Sequence, residues 1–351
     1  MIIQIGEISE KTREVVKQCN LKIYSFDEIL EAGKAHPAVF NPPCAEDVCT
    51  ICYTSGTTGL PKGAMITNRN FIAALMGTFQ QELRPEAWDR YLSYLPLAHV
   101  LERCVQLAFI VAGARVGYSQ GDTRKIVDDL KDVLVRKSAG LDCVRVTISG
   151  SAPLSDEVKQ FLRCVLNGAV VEGYGATETS GPTSIELSMD TSVGSVGGPI
   201  AASTFKLVDV PEMGYLATDR EHNGQPCLGR GELCIKGYNI ISGYYQSPEL
   251  TKAAFDEEGF FRTGDIAIIL PNYAVKIVDR KKNFFKLAQG EYVAAEKLEI
   301  LYGASPFVSQ IFVHGDSLQS YLVAIVVPEK GYVMRWAKTV PALKDLSFEA
   351  V

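Results

Sequence analysis

The sequence predicts an α/β fold: a layered α/β large domain with a β-rich part, followed by a small α+β domain. Three observations lead there. From Val48 to Gly173, β-capable runs alternate with helix-length stretches, the pattern of a layered domain with a largely parallel sheet. After Thr183 the strands become short and turn-rich. Past Asp279 the pattern changes again, to a basic stretch, a Gly-containing loop, one helix and two strands. The expected domains are 1–278, with its β-rich part at about 184–278, and 279–351 after a hinge at Asp279.

Taken in order, Ile2–Ile5 reads as a strand, Glu10–Lys17 as a polar helix, Leu21–Ile23 as an apolar run and Phe26–Leu30 as a helix start. A Pro-containing linker, His36–Pro43, closes this first part. Strands are then expected at Val48–Tyr53, Leu92–Leu95, Ala114–Tyr118, Cys143–Ser149 and Ala169–Gly173. Helices are expected at Asn70–Leu83, Leu101–Ala112, Thr123–Val135 and Asp156–Leu166. The β-rich part contributes Thr204–Val210, Glu232–Lys236 and Ile266–Leu270. The last part contributes a helix at Ala294–Tyr302 and strands at Val308–His314 and Tyr321–Val327.

Composition narrows the function classes. With 47% hydrophobic and 22% charged residues the chain is globular, not disordered or fibrous. A formal charge of −6 leaves no basic footprint for nucleic acid. Any polyanionic ligand must be met by local amides and a few cations. Nine cysteines, an odd number in mostly apolar settings, suggest free buried thiols in a reducing compartment. Cys49 and Cys52 form a C-x-x-C. It sits in a strand pattern with no second Cys/His pair at matching spacing, so a structural role is expected over a zinc site. No run approaches the ~18 apolar residues of a transmembrane span, and Met1–Ser9 lacks the features of a signal peptide.

The strongest motif is Tyr53-Thr54-Ser55-Gly56-Thr57-Thr58-Gly59-Leu60-Pro61-Lys62-Gly63. Small residues let amides approach phosphate oxygens; Ser55, Thr57 and Thr58 add hydroxyl donors and Lys62 a positive charge. The alternative, an ordinary polar turn, explains single residues but not the whole run. It is expected to leave a strand and enter a helix near Asn68. It is not the loop of P-loop NTPases, because Gly63 stands where Ser or Thr would follow the lysine.

This stretch resembles the phosphate loop of the adenylate-forming superfamily of acyl-CoA synthetases, luciferases and adenylation domains. Further segments resemble that family in matching order: Tyr94–Arg103, Ser149–Leu154, Gly173–Glu178, Thr263–Asp265 and Asp279–Lys282. Phe284–Val293 resembles the long-chain fatty acid:CoA ligase branch.

The resemblance implies ATP-dependent activation of a long-chain fatty acid and transfer of the acyl group to coenzyme A, with Mg²⁺ as cofactor. It implies phosphate contacts from Thr54, Ser55, Gly56, Thr57, Thr58, Gly59 and Lys62. Adenylate contacts would come from Gly150, Ser151, Ala152, Pro153, Gly173, Tyr174, Gly175, Thr177, Asp265 and Arg280. Thr54 and Glu178 would hold the metal, His99 would line the acyl site, and Gly290 and Glu291 would form a coenzyme A loop. An intracellular place, at the cytosolic face of the endoplasmic reticulum or another organelle membrane, is implied with these roles. Each role makes chemical sense. A carboxylate after a tight turn suits ribose hydroxyls, a guanidinium suits the same sugar or its phosphate, and Mg²⁺ favours oxygen ligands. A lone histidine such as His99 is more often a satisfied core residue than a catalyst.

The chain departs from the family in three ways. It begins late in the large domain, it jumps at Val133-Leu134, and it stops before the segment carrying the adenylation lysine, so no lysine takes that role here. A weak or inactive ligase is therefore expected. A non-catalytic nucleotide or acyl binder and another adenylate-forming enzyme are the alternatives.

Overall fold

The computed structural model describes residues 1–54, 61–79, 83–121, 144–151, 154–166, 168–281, 284–286, 292–315, 321–343 and 346–350. The chain forms two compact units, Met1–Cys44 and Ala45–Val351. In the first, β1 (Ile2–Gln4) pairs in parallel with β2 (Ile23–Ser25), with α1 (Glu10–Gln18) between them in sequence and α2 (Phe26–Ala35) after. Ser9 caps α1 by accepting from the Thr12 N–H. Ser25 and Glu28 form a reciprocal capping box at the start of α2. These caps explain why both helices begin where they do.

In the second unit β3 (Val48–Thr54) pairs antiparallel with β4 (Lys62–Thr67), placing Thr54 opposite Lys62. This corrects the strand-to-helix expectation. The Ser/Thr/Gly loop joins two strands of a hairpin, and α3 (Asn68–Phe79) starts only after β4. Lys62–Thr67 opens on Lys-Gly-Ala, residues of low strand propensity, and pairing with β3 makes it a strand. Then β5 (Arg90–Ser93) pairs in parallel with β6 (Arg115–Tyr118) across α4 (Val100–Val111). Likewise β7 (Val146–Gly150) pairs in parallel with β8 (Ala169–Ala176) across α5 (Asp156–Leu166). The helix predicted at Thr123–Val135 lies outside the described residues.

The expected largely parallel sheet is mixed where it is described. β9 (Gly181–Ile185) and β10 (Gly198–Pro199) extend the β7–β8 pair with antiparallel partners. The Thr177–Thr179 turn after β8 is far too short for the crossover that a parallel strand needs. α5 has its predicted limits, but its apolar residues do not face inward. Val158, Phe161 and Val165 are exposed, while Lys159 is fully buried.

The β-rich part is an antiparallel sheet ordered β11 (Ser203–Val208), β14 (Gly229–Gly237), β15 (Phe261–Ile269), β16 (Val275–Arg280). A small hairpin of β12 (Glu221–His222) and β13 (Gln225–Pro226) precedes β14, and α6 (Pro248–Ala254) precedes β15. Leu233, Ile235, Phe261, Ala267 and Val275 pack one face of this sheet. Burying each large aliphatic side chain contributes about 1.5–3 kcal/mol. β17 (Phe284–Lys286) and β18 (Tyr292–Ala294), α7 (Ala295–Gly303), the hairpin of β19 (Val308–Gly315) and β20 (Leu322–Pro328), and α8 (Lys330–Ala337) complete the described elements. Among the described residues, no helix is long and apolar enough to cross a membrane.

Candidate functional site

A cavity of about 940 Å³ opens between the end of β7, the end of β8 and the β15–β16 pair. Ser151, Gly173, Tyr174, Gly175, Asp265 and Arg280 all line it. Six of the ten residues expected around an adenylate are thus brought together from three distant stretches of chain. Ser151 has φ +71°, a left-handed conformation that costs a non-glycine residue energy and turns the chain sharply out of β7. Gly175 is packed so closely on β9 that a Cβ there would stand 2.1 Å from the Gly181 carbonyl oxygen. Only glycine fits that approach.

Asp265 is aimed by an irregularity in the β14–β15 ladder. Glu232 pairs with Ile266 and Cys234 with Arg262, so residues 263–265 stand opposite Leu233 alone. Gly264, at φ +73°, permits this bulge, and the Thr263 hydroxyl fills the gap by donating to the Leu233 carbonyl at 2.7 Å. Bulges commonly re-aim a side chain next to a site. The Asp265 carboxylate accepts from the Tyr174 hydroxyl at 2.5 Å, and Arg280 Nε lies 3.0 Å from its other oxygen. Burial and the adjacent carboxylate push the Tyr174 phenol well above its ordinary pKa, which keeps it a donor. Tyr174, Asp265 and Arg280 therefore form one pre-set acceptor and donor group on the cavity wall.

Four residues beyond Tyr174, Glu178 sits in a second cluster that is not part of that cavity lining. The Tyr244 hydroxyl donates to Glu178 Oε1 at 2.9 Å, and Lys62 Nζ lies 5.4 Å from the centre of the Tyr244 ring. Burial, followed by the Glu178 charge, raises the Tyr244 phenol's pKa. The turn carrying Glu178 is held from behind. Ile241 N–H donates to the Glu178 carbonyl at 2.9 Å, and the buried Asn70 amide donates to the carbonyls of Tyr238 and Ile240 at 2.8 Å each. Cys52 adjoins Thr177 and Glu178, its thiol raised in pKa by burial against the lowering pull of Arg103. The hairpin register places Thr54 opposite Lys62. Glu178 and Thr177 are thus linked through Tyr244 and Cys52 to the β3–β4 pair, which carries Lys62 and Thr54.

His99 caps α4: its Nδ1 accepts from the Leu101 N–H at 3.2 Å. Gly150 ends β7 against the Gly173 carbonyl, where a Cβ would come within 3.0 Å. The backbone of Asp279 pairs with Ile266 in β16. Ser55, Gly56, Thr57, Thr58, Gly59, Ala152, Pro153, Gly290 and Glu291 lie outside the described residues. The C-x-x-C cysteines face separate partners, Cys49 the Ile66 carbonyl at 3.3 Å and Cys52 the Ala98 carbonyl at 3.4 Å.

Sequence reasoning missed Tyr244, which no motif marks. It also missed a buried charge cluster beneath the cavity, in which Lys159 Nζ meets Glu172 at 2.8 Å and Glu186 at 2.7 Å. The available signal was Glu172 itself, a carboxylate within an otherwise apolar strand immediately before Gly173.

The family profile described as AMP-binding enzyme matches residues 4–140 and 132–245. The two matches overlap at the place where the sequence jumps. Long chain acyl-CoA synthetase 6, peroxisomal, of Arabidopsis thaliana is 38% identical over 397 residues, covering 96% of this chain and 56% of the relative. Long-chain-fatty-acid–CoA ligase 1 of Homo sapiens is 36% identical over 400 residues, with the same two coverages. The chain spans about half the length of the curated relatives it matches, and both alignments are longer than the chain itself. Among solved structures, the A domain of carboxylic acid reductase from Segniliparus rugosus, in complex with AMP and a co-purified carboxylic acid, superposes with a TM-score of 0.73. It is 30% identical, covering 93% of this chain and 57% of that one. The adenylation domain of a carboxylate reductase from Mycobacterium chelonae gives 0.73 at 32% identity, covering 96% and 57%.

Proposed function

The chain belongs to the AMP-binding enzyme family, and from that premise we propose that it activates a long-chain fatty acid with ATP and passes the acyl group to coenzyme A. The observation that carries this reading is the convergence of Tyr174, Asp265 and Arg280 on one glycine-floored cavity.

In the first step a carboxylate oxygen attacks the α-phosphorus, and the bond to pyrophosphate breaks. In the second, the coenzyme A thiol attacks the acyl carbon, and the bond to AMP breaks. Neither step needs a protein nucleophile, so the protein's work is positioning and charge neutralisation. Asp265 accepts from the ribose hydroxyls in place of its present partners, with Arg280 donating beside it. Gly173 to Gly175 offer backbone to the base. Lys62, with the loop it borders, meets the triphosphate. Asp279 serves as the hinge, and Gly290 with Glu291 borders the coenzyme A thiol. His99 lines the acyl site while it caps α4.

Glu178 suits Mg²⁺: its carboxylate has one oxygen engaged by Tyr244, and Thr177 and Thr54 belong to the same cluster. Among the described residues there is no cluster of three or more His, Cys, Asp or Glu that would cage a metal. A single carboxylate is what Mg²⁺ needs when phosphate oxygens and waters fill its other positions. When bound, the ion would neutralise charge on the triphosphate.

The peroxisomal name of one relative supports a place inside the cell, at an organelle; fractionation of the tagged protein tests it. ATP–pyrophosphate exchange dependent on palmitate, against short-chain and aromatic acids, tests the reaction and its substrate class. A second reading, a nucleotide or acyl binder that does not turn over, is favoured by alignments longer than the chain and by the overlap at 132–140. ATP binding without exchange would select it.

A further inference from the structure

The walls of the cavity come from separate segments, and one buried ammonium joins them. Lys159, on α5, donates to Glu172 Oε2 at 2.8 Å and to both carboxylate oxygens of Glu186 at 2.7 Å. An ammonium has three protons, so all are used. The Lys159 and Glu186 side chains are 0% exposed and that of Glu172 is 10% exposed. Glu186 also accepts from the Glu172 N–H at 2.8 Å and from the Ser195 hydroxyl at 3.2 Å. Each arm of this cluster ends at the cavity. Asp156, one turn before Lys159, lines it; so does Glu172, next to Gly173; and so does Ser195 with its neighbours Val193, Gly194 and Val196. Gly173 has no side chain; its backbone sits in the ladder between Gly150 of β7 and Ile185 of β9, directly beside Glu172 and Glu186, the two carboxylates that Lys159 joins.

We infer that Lys159 is a positioning residue for the nucleotide cavity, neutralising the facing carboxylates of Glu172 and Glu186 so that α5, β8 and the 193–196 segment stay in register around it. This rests on the adenylation reading and deepens it. Two buried carboxylates without their cation repel one another and lack compensation for lost water. The strand ends that carry these carboxylates, and the glycine floor between them, then shift, and a displacement of about 1 Å suffices to spoil alignment.

The test is calorimetric titration of ATP with magnesium into wild type, Lys159→Met and the pair Lys159→Met/Glu186→Gln, each first checked for folding by near-ultraviolet circular dichroism. K159M is expected to raise the ATP dissociation constant at least about tenfold. The added Glu186→Gln removes one carboxylate while keeping its hydrogen-bonding shape, and is expected to restore affinity to within about threefold of wild type. A K159M protein that does not fold, beside a double variant that folds and binds, supports the same inference. Unchanged ATP affinity in folded K159M overturns it, as does a double variant that fails to fold or is no better than K159M. A wild-type chain that binds no ATP instead sinks the adenylation reading on which the inference rests.

Discussion

Asp265 is the residue on which the proposed nucleotide site turns. Its carboxylate is held nearly out of water by Tyr174 and Arg280, pre-aimed by a bulge that Gly264 allows. Hydrogen bonds to a charged acceptor contribute about 1.5–3 kcal/mol, so Asp265→Ala is expected to weaken ATP binding about 10- to 100-fold. Equilibrium titration measures this, and an unchanged constant would remove Asp265 from the site. Tyr244→Phe loses only one hydroxyl bond to Glu178 and is expected to weaken magnesium-dependent ATP binding by about fivefold, with little effect in the absence of the metal. Thiol labelling probes the same scale. Burial pushes Cys104 and Cys234 up to about 12, whereas Cys19, Cys44, Cys49 and Cys164 are exposed. At pH 8, maleimide followed by peptide mapping is expected to mark those four and to reach Cys104 and Cys234 only after unfolding.

At the scale of elements, the β8–β9 hairpin joins the two clusters, since Tyr174 lies in β8 and Glu178 in the Thr177–Thr179 turn that follows it. Gly175→Ala would drive a methyl into the Gly181 backbone. The expected result is about 1–3 kcal/mol lost in urea unfolding together with weakened ATP binding; a variant as stable as wild type would show that the strands have room. This hairpin also marks where sequence reading stopped. β7, α5 and β8 were legible because their β-branched runs or helical spacing stand out, and α5 keeps its predicted limits. β4 was not, because Lys62–Thr67 opens on Lys-Gly-Ala and is made a strand by its partner. The facing of α5 was not legible either: its apolar residues Val158, Phe161 and Val165 are exposed, and the helix buries Lys159 against two carboxylates 13 and 27 residues further along the chain. Tyr174, Asp265 and Arg280 were each singled out by motif, and the structure brings them together. Their mutual hydrogen bonds were not legible, since a bulge against Leu233 is a property of pairing.

For the molecule as a whole, two compact units meet in sequence at Cys44 and Ala45. The stretch before that junction has no regular structure, and Phe40 is 83% exposed. Limited chymotrypsin digestion is expected to cut early after Phe40, leaving the larger unit as a stable fragment on a gel; protection of that bond would contradict it. Within the larger unit, the site is assembled from β3–β4, β8 and β15–β16, so its integrity depends on strands that are remote in sequence. The most direct measurement is a crystal structure of the chain soaked with ATP and magnesium. The adenosine is expected in the cavity beside Tyr174, with its ribose hydroxyls within hydrogen-bonding distance of the Asp265 carboxylate. A nucleotide bound elsewhere, with Asp265 still closed on Tyr174 and Arg280, would contradict the assignment.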